Sequence, residues 1–153
     1  MSIFNFGSKP ETKGKNPTQF DTKRERELLK EYKKYKGKRD SFEYFVALPM
    51  IDFYYKFRDL SKSYLEECIK YCYICIECLK SPDMRSDILH GIRIPAFRKL
   101  IIIYENNGEY AKAAEIAEEA LRYSGNNQED AEYYAQKMKA NNKKNLELSG
   151  GKR

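Results

Sequence analysis

The spacing of the apolar residues is the sequence feature that most limits the folds open to this chain. Between residues 42 and 138 they recur at every third or fourth position, and no stretch alternates apolar with polar residues as a strand would. Glycine, proline and asparagine interrupt this periodicity at intervals. The pattern predicts an all-α protein with helices over residues 22–35, 42–57, 63–80, 95–105, 109–123 and 126–139.

Polar residues mark where several of these helices begin. Asp21 precedes the first helix and is expected to cap it. Asp40 and Glu43 have the spacing of a capping box, in which Asp40 accepts a first-turn N–H and Glu43 reaches back to the N-terminus. Asn126 together with Glu129 is expected to cap the last helix.

The helix predicted over residues 42–57 is apolar around much of its circumference. We therefore expect neighbouring helices to bury it on several sides. Pro49 lies in its middle and lacks a backbone N–H, which predicts a kink or a split at this position.

The positive charge of the chain is concentrated near its start. The net charge is +6, and residues 1–40 hold 12 Lys and Arg against 6 Asp and Glu, whereas the remaining residues are balanced. Such a basic arm attracts nucleic acid, anionic lipid or an acidic partner, or simply keeps a protein in solution. Its densest part consists of Lys23, Arg24, Arg26, Lys30, Lys33, Lys34, Lys36, Lys38 and Arg39.

The composition divides the chain into four segments. Residues 1–20 are rich in polar residues and glycine and are expected to form a disordered tail, whereas residues 21–40 form a basic helix and linker. Residues 41–140 form the helical domain and residues 141–153 a flexible tail. The basic helix offers only a narrow apolar face, so we expect its removal to cost little stability. This face consists of Leu28, Leu29, Tyr32 and Tyr35.

The sequence contains no apolar run long enough for a membrane span or a signal peptide. We therefore expect no membrane span and a cytoplasmic location.

Residues 94–125 carry a regular pattern of aromatic, glycine and small residues. Leu100 and Tyr104 lie on one face of the first helix, Gly108-Glu109-Tyr110 forms a turn, and Ala113 provides a small residue where the second helix would cross the first. With Phe97 at the start and Ala120-Leu121 near the end, this pattern resembles a tetratricopeptide repeat, a helix–turn–helix unit of about 34 residues. The sequence differs from the family pattern at Ile101, Ala117 and Gly125, where the family prefers a small residue, an aromatic residue and proline, respectively.

Residues 48–80 resemble a weaker second copy of this repeat, with Ile51 and Tyr55 in place of Leu100 and Tyr104. The resemblance thus implies a short stack of antiparallel helical hairpins, with about two repeats and a final capping helix. Stacks of this kind need about three repeats to bury enough surface. The N-terminal helices, or a second subunit in a homodimer, would supply what is missing.

The resemblance also implies a function and a site. Tetratricopeptide-like stacks bind peptides on the concave face formed by the first helix of each pair. We therefore expect a non-enzymatic interaction module for a protein or peptide partner, in which cations hold a carboxylate and aromatic rings supply apolar contact. The residues placed on that face are Phe53, Lys56, Phe57, Arg98, Ile102, Glu105 and Asn106.

The four cysteines occupy one helix. Cys68, Cys72 and Cys75 have the C-x3-C-x2-C spacing that binds the cluster of radical SAM enzymes, but those enzymes hold it in a loop of an α/β barrel, and this sequence predicts no strands. Cys68 and Cys78 would also lie about 15 Å apart along a helix. We therefore interpret the cysteines as core residues, with a redox pair, Cys72–Cys75 or Cys75–Cys78, as the alternative, and expect no metal and no cofactor.

Catalytic patterns are otherwise missing from the sequence. The single histidine, His90, cannot build a triad, and no glycine-rich phosphate loop is present. The alternative to an interaction module is therefore a nucleic-acid-binding accessory protein that uses residues 22–39, where Tyr32 and Tyr35 alternate with lysines and can stack on bases. We expect that binding to be weak and without sequence preference.

Overall fold

The computed structural model describes residues 16–125 and 127–150. Within these ranges the protein is all-α, as the periodicity predicted, and no residue is in a strand. A short 3₁₀ turn, Pro82–Met84, separates the third and fourth helices. The helices are α1 (Gln19–Lys33), α2 (Ser41–Lys56), α3 (Lys62–Cys78), α4 (Arg85–Leu89), α5 (Pro95–Asn106), α6 (Tyr110–Leu121) and α7 (Gln128–Gly150).

The helices group into two compact units. The first, unit 1, extends to Arg85 and contains α1, α2 and α3. The second, unit 2, begins at Ser86 and contains α5, α6 and α7. The basic helix α1 therefore belongs to the same compact unit as the apolar helix α2.

The first helix of unit 1 begins earlier than predicted. Thr18, not Asp21, is its N-cap, and the Thr18 hydroxyl accepts the backbone N–H of Asp21 at 3.1 Å. The Asp21 carboxylate accepts the Thr18 N–H in return, at 2.9 Å, which completes a capping box. Gln19 and Phe20, expected in the tail, are helical. The rest of the predicted tail, residues 1–15, lies outside the described residues.

The three helices of unit 1 run alternately up and down. Glu25 of α1 lies beside Tyr54 of α2, and Tyr32 lies beside Glu43, so α1 and α2 are antiparallel. On the other side of α2, the sulfur of Cys75 lies 3.9 Å from the Tyr44 carbonyl oxygen, at the opposite end of α3 from the contact between Cys68 and Ile51. As a result, α1 and α3 are parallel to each other.

Helix α2 differs from its prediction in two respects. It is continuous from Ser41 to Lys56 with Pro49 inside it, so the chain does not split there. It is also buried on fewer sides than expected, because Phe42 is 61% exposed and Phe45 is 47% exposed. Both rings lie in its first turns, where Phe42 stacks on Tyr35 with 5.6 Å between the ring centres.

The basic helix contributes to the core of unit 1. Leu28 and Tyr32 are buried, and the Tyr32 ring meets Tyr71 of α3 edge to face at 5.1 Å. Leu29 of the predicted apolar face is instead exposed. The expectation that α1 could be removed at little cost does not agree with this packing, because two large side chains of α1 would leave the core with it.

Unit 2 is a three-helix arrangement that starts with the clearest repeat signal. Gly108 (φ 75°) allows the tight turn between α5 and α6, and Gly125 (φ 55°) the turn between α6 and α7. Alanines line the buried side of α6, where they let adjacent helices approach closely. They are Ala113, Ala114, Ala117 and Ala120.

The last helix is longer than predicted. It continues to Gly150, so residues 141–150 are helical rather than a flexible tail, and residues 151–153 lie outside the described residues. Asn127 accepts the Asp130 backbone N–H at 3.0 Å at its start. Asn126, from which the cap was predicted, also lies outside the described residues.

Filling the buried side of α6 should destabilise unit 2. Ala113 has no exposed surface, so Ala113→Leu adds three carbon atoms to a filled space and should cost about 1–3 kcal/mol of unfolding free energy. Ala111→Leu, at an exposed position of the same helix, is the matched control and should change stability little. Urea denaturation measures both variants, and an equal midpoint for the two would contradict close helix packing at Ala113.

Candidate functional site

A fully buried carboxylate anchors the connection between α1 and α2. Glu43 has no exposed surface, yet its two oxygens have several donors. Tyr32 donates its hydroxyl, and Gly37 donates its backbone N–H at 3.1 Å. Arg39 donates both its backbone N–H, at 2.5 Å, and its guanidinium Nη1, at 2.7 Å.

These donors decide the charge of the site. Burial by itself would raise the pKa of the Glu43 carboxyl, but the hydrogen bonds from Tyr32 and from the connection outweigh it and lower that pKa below its usual 4.5. Burial and the neighbouring carboxylate raise the pKa of the Tyr32 phenol well above its usual range. Glu43 is therefore an anion at neutral pH that holds the connection in place, and Tyr32 remains a hydrogen-bond donor.

Two acidic residues of α1, Asp21 and Glu25, face α2, whereas Glu27, Glu31 and the cations of the helix are exposed. Tyr54 donates its hydroxyl to Glu25 at 2.6 Å, and Lys56 lies 3.8 Å from Asp21. At about 100° per residue, the residues on the far side of α1 fall within an arc of about 80° and extend over about 15 Å. We call them the basic stripe: Lys23, Arg26, Lys30 and Lys33.

The basic stripe has no partner among the described residues. All four cations are exposed, and none forms a hydrogen bond or an ion pair with a described side chain. Arg24, Lys36 and Lys38 of the predicted arm are equally exposed and unpaired, whereas Lys34 bonds to Glu31 at 2.9 Å. Arg39 differs from all of them, because it is engaged with Glu43 and Glu77.

A groove of about 740 Å³ lies between α1 and α3, beside the basic stripe. Leu29 and Ile74 provide aliphatic surface, with Leu29 39% exposed, and Tyr73 is 40% exposed at the edge. We call this the α1–α3 groove. It is lined by Leu29, Tyr32, Lys33, Lys36, Gly37, Arg39, Glu67, Lys70, Tyr71, Tyr73, Ile74 and Glu77.

The two edges of the α1–α3 groove differ in charge. On the α3 side the carboxylates are already paired, because Lys70 contacts Glu67 at 3.0 Å and Arg39, which is shared with Glu43, donates its Nε to Glu77 at 2.6 Å. On the α1 side Lys33 and Lys36 have no partner among the described residues. The groove therefore combines an apolar floor with one edge of uncompensated positive charge.

In unit 2 the chain itself occupies part of the surface predicted to bind peptides. Arg98 pairs with Asp130 of α7 at 2.9 Å, and its guanidinium lies 3.8 Å from the centre of the Tyr133 ring. Glu105 accepts hydrogen bonds from Lys137 at 3.1 Å and from Asn141 at 2.7 Å. Ile102 and Asn106, the other predicted residues of α5, are half-buried.

In unit 1 the predicted peptide-binding residues lie at the C-terminal end of α2. Phe57 is buried, Phe53 is half-buried and Lys56 is exposed. The two rings are 5.1 Å apart, and the Lys56 ammonium lies 5.2 Å from the centre of the Phe57 ring. This cluster thus belongs largely to the packing between α2 and α3.

The cysteines are core residues, as interpreted from the sequence. All four are buried and none is in a disulfide. Burial, with the Glu43 charge nearby, raises the pKa of Cys78 to about 12, and burial also raises the pKa of Cys75 well above its usual range. Among the described residues, no group of three or more His, Cys, Asp or Glu side chains is arranged to hold a metal ion.

The thiols should therefore react slowly while the protein is folded. Burial blocks access of a reagent to all four thiols, and the raised pKa values of Cys75 and Cys78 also remove their reactive thiolate. A thiol reagent such as iodoacetamide, with mass spectrometry as the readout, should leave all four cysteines unmodified over minutes and modify them at once in denaturant. Glutathione in the same tube controls for the reagent. A cysteine that reacts as fast as glutathione would show that α3 opens in the native state.

No protein-family model matches the chain, and no curated protein or solved structure is significantly similar to it. In the part of the chain that the structure describes, no helix is both long and apolar enough to span a membrane. The class of the protein therefore follows from its own fold and site rather than from similar proteins. Over the described residues this is an all-α protein of two helical units, with an apolar groove in unit 1 beside a row of cations that have no partner there.

The contribution of α3 to the groove was missed by the sequence reasoning. The sequence pattern predicts no site at Lys70, Tyr73 or Glu77, and it predicts Glu67 and Ile74 only as repeat positions that correspond to Ala113 and Ala120. Their spacing of three and four residues does place them on one helical face, which was the available signal. That this face lies beside α1 depends on long-range packing.

Proposed function

We propose that this chain is a non-enzymatic interaction module that binds a protein partner through the α1–α3 groove. The observation that carries the proposal is the groove itself, which offers exposed apolar surface at Leu29 and Tyr73 next to cations without partners among the described residues. Exposed apolar surface bordered by polar groups is typical of protein interaction sites. We place the protein in the cytoplasm as part of this proposal.

Two further observations support a binding role rather than catalysis. Glu43 is surrounded by donors and its pKa is lowered, so it is suited to holding structure rather than to exchanging protons. The likeness of residues 94–125 to a tetratricopeptide repeat, a unit used for protein interactions, also favours this class.

The proposed site differs from the one that the resemblance implies. Arg98 and Glu105 are bonded to α7, and a peptide that used them would have to compete with Asp130, Lys137 and Asn141. The α1–α3 groove carries no such internal occupant among the described residues. We therefore locate the interaction on unit 1.

The test is affinity capture from native extract with the intact chain and two matched variants. Leu29→Asp places a charge on the apolar floor at an exposed position, and Leu146→Asp makes the same change at an exposed position of α7. Proteins that bind in the groove should be recovered by the intact chain and by Leu146→Asp, should be lost with Leu29→Asp, and should survive nuclease treatment. The same proteins recovered with all three baits would contradict the proposal.

A second candidate function rests on the basic stripe. Four unpaired cations over about 15 Å are suited to a phosphate backbone, so a nucleic-acid-binding accessory role is the alternative. Its affinity should fall steeply with salt, because each phosphate contact releases counterions. A salt titration with mixed-sequence RNA and DNA distinguishes the two functions. Tight, sequence-selective binding at physiological salt would favour this alternative over the interaction module.

A further inference from the structure

We infer that the partner of the α1–α3 groove is an acidic amphipathic segment, in which carboxylates follow the basic stripe and neighbouring apolar side chains enter the groove. This inference rests on the proposed function and specifies the chemistry of its partner. It follows from the charge, the shape and the surroundings of the groove.

The apolar half of the partner is indicated by the floor of the groove. Leu29 and Tyr73 each keep about two fifths of their surface exposed, although large apolar side chains gain from burial. The space beside them, about 740 Å³, lies within the range of natural ligand pockets and accepts several aliphatic side chains. Apolar residues on one face of a helix would cover both exposed side chains.

The acidic half is indicated by charge complementarity. The carboxylates of the groove, Glu67 and Glu77, are already paired with Lys70 and Arg39. The charge left over is therefore positive, and it is contributed by the basic stripe and by Lys36. A partner with carboxylates at matching intervals would neutralise these cations and speed the encounter.

The apolar floor of the groove favours a protein segment over a nucleic acid. A phosphate chain presents regular negative charge but no aliphatic side chains, so it would meet the cations of the α1 side and leave Leu29 and Tyr73 uncovered. An amphipathic segment avoids this, because only one of its faces is charged. Its carboxylates can meet the α1 side while its apolar face contacts Leu29 and Ile74.

The experiment uses the full chain and a synthetic probe helix of about 14 residues, long enough to span the basic stripe. Its glutamates are spaced by three, four and three residues, as Lys23, Arg26, Lys30 and Lys33 are, and leucines occupy the adjoining face. One control peptide carries Gln in place of every Glu, and another carries Ser in place of every Leu. A mixed-sequence single-stranded DNA is the fourth probe, and fluorescence anisotropy measures binding.

The acidic amphipathic peptide should bind, and each control peptide should bind at least about tenfold more weakly. The double variant Lys30→Glu with Lys33→Glu should lose a similar factor for the acidic peptide. The matched double variant Arg24→Glu with Lys38→Glu makes the same charge change at exposed positions outside the stripe and the groove. It should retain most of the affinity. Circular dichroism of both variants verifies that the helices are intact.

The outcomes separate this inference from the proposed function. Equal binding of the Gln peptide, lost with Leu29→Asp, would overturn the acidic partner but leave an apolar interaction site. Failure of every peptide, while Leu29 remains essential for protein capture, would also overturn the acidic amphipathic segment alone. Tighter binding of DNA than of the acidic peptide, lost with Lys30→Glu and Lys33→Glu, would overturn both.

Discussion

Replacing Glu43 by alanine should lower the free energy of unfolding by about 2–4 kcal/mol, because it leaves a cavity and a buried Tyr32 hydroxyl without its acceptor, while Arg39 stays partly exposed and paired with Glu77. The substitution removes the acceptor of the Tyr32 hydroxyl and of the Gly37 and Arg39 N–H groups, and buried donors without acceptors are costly. Arg39 has a φ of 49°, which is uncommon for a residue other than glycine, and Glu43 helps to hold it there.

Urea denaturation of unit 1 measures this loss. Glu31→Ala, which removes an exposed carboxylate paired with Lys34, is the matched control and should change the unfolding free energy by less than about 1 kcal/mol. A loss for Glu43→Ala as small as that of the control would mean that water replaces the carboxylate as acceptor.

The same carboxylate should make stability depend on pH. The folded-state pKa of Glu43 lies below the ordinary value of 4.5, so the unfolded chain binds its proton more readily. The stabilisation is therefore complete above pH of about 4.5 and is lost as the pH falls through the folded pKa. Melting curves should show that the higher thermal stability of the wild type over Glu43→Gln is lost in this pH range. A difference in stability that does not change with pH would contradict the lowered pKa of Glu43.

Removing residues 1–40 should unfold unit 1. The deletion takes Leu28 and Tyr32 out of the core, each worth about 1.5–3 kcal/mol of burial. It also removes Tyr32, Gly37 and Arg39, whose hydrogen bonds to the Glu43 carboxylate contribute about 1.5–3 kcal/mol each. Together these losses approach the 5–15 kcal/mol that hold a typical domain folded, as an order of magnitude.

Circular dichroism and limited proteolysis of residues 41–153 test this expectation. The control keeps α1 but replaces the four cations of the basic stripe by glutamine, which removes charge without touching the buried face. That variant should melt close to the intact chain. If the truncated chain stays folded and protease-resistant over α2 and α3, then the contacts of α1 contribute much less than their burial implies.

Helix α1 shows most clearly which features could be predicted from the sequence and which could not. The periodicity correctly predicted a helix there, but α1 itself carries five Lys and Arg against four Asp and Glu, so much of the excess charge lies outside it. The narrow apolar face predicts that the helix is marginal alone and costs little to remove. Its stability comes from Tyr32, which contacts Tyr71 and Glu43, and contacts this distant in sequence leave no local signal.

The contacts of Glu43 are a second case that the neighbouring sequence does not reveal. The spacing of Asp40 and Glu43 predicted an N-terminal cap, and Asp40 does accept the Glu43 N–H at 3.0 Å. The Glu43 side chain instead bonds to the Gly37 and Arg39 N–H groups, because the preceding connection folds back over it. The capping rule describes the first helical turn alone, so it gave no information about this tertiary partner.

The end of the chain shows how a composition argument fails. Residues 141–150 are polar, which suggested a tail, but Lys, Asn, Glu and Leu tolerate a helix and nothing breaks it before Gly150. Asn141 is buried and donates to Glu105. The candidate groove was also beyond prediction, because it depends on which face of α3 lies beside α1.

The pairing of neighbouring helices within each unit favours rapid folding. The polar contacts that join helices span short stretches of chain, from 11 residues between Tyr32 and Glu43 to 42 between Ser41 and Asp83. Helical proteins rich in such local contacts fold within microseconds to milliseconds, whereas a ribosome adds only about 5–20 residues per second. Unit 1 ends at Arg85, and Leu79 and Met84 are the last residues of its core, so that core can close while the rest of the chain is still being synthesised.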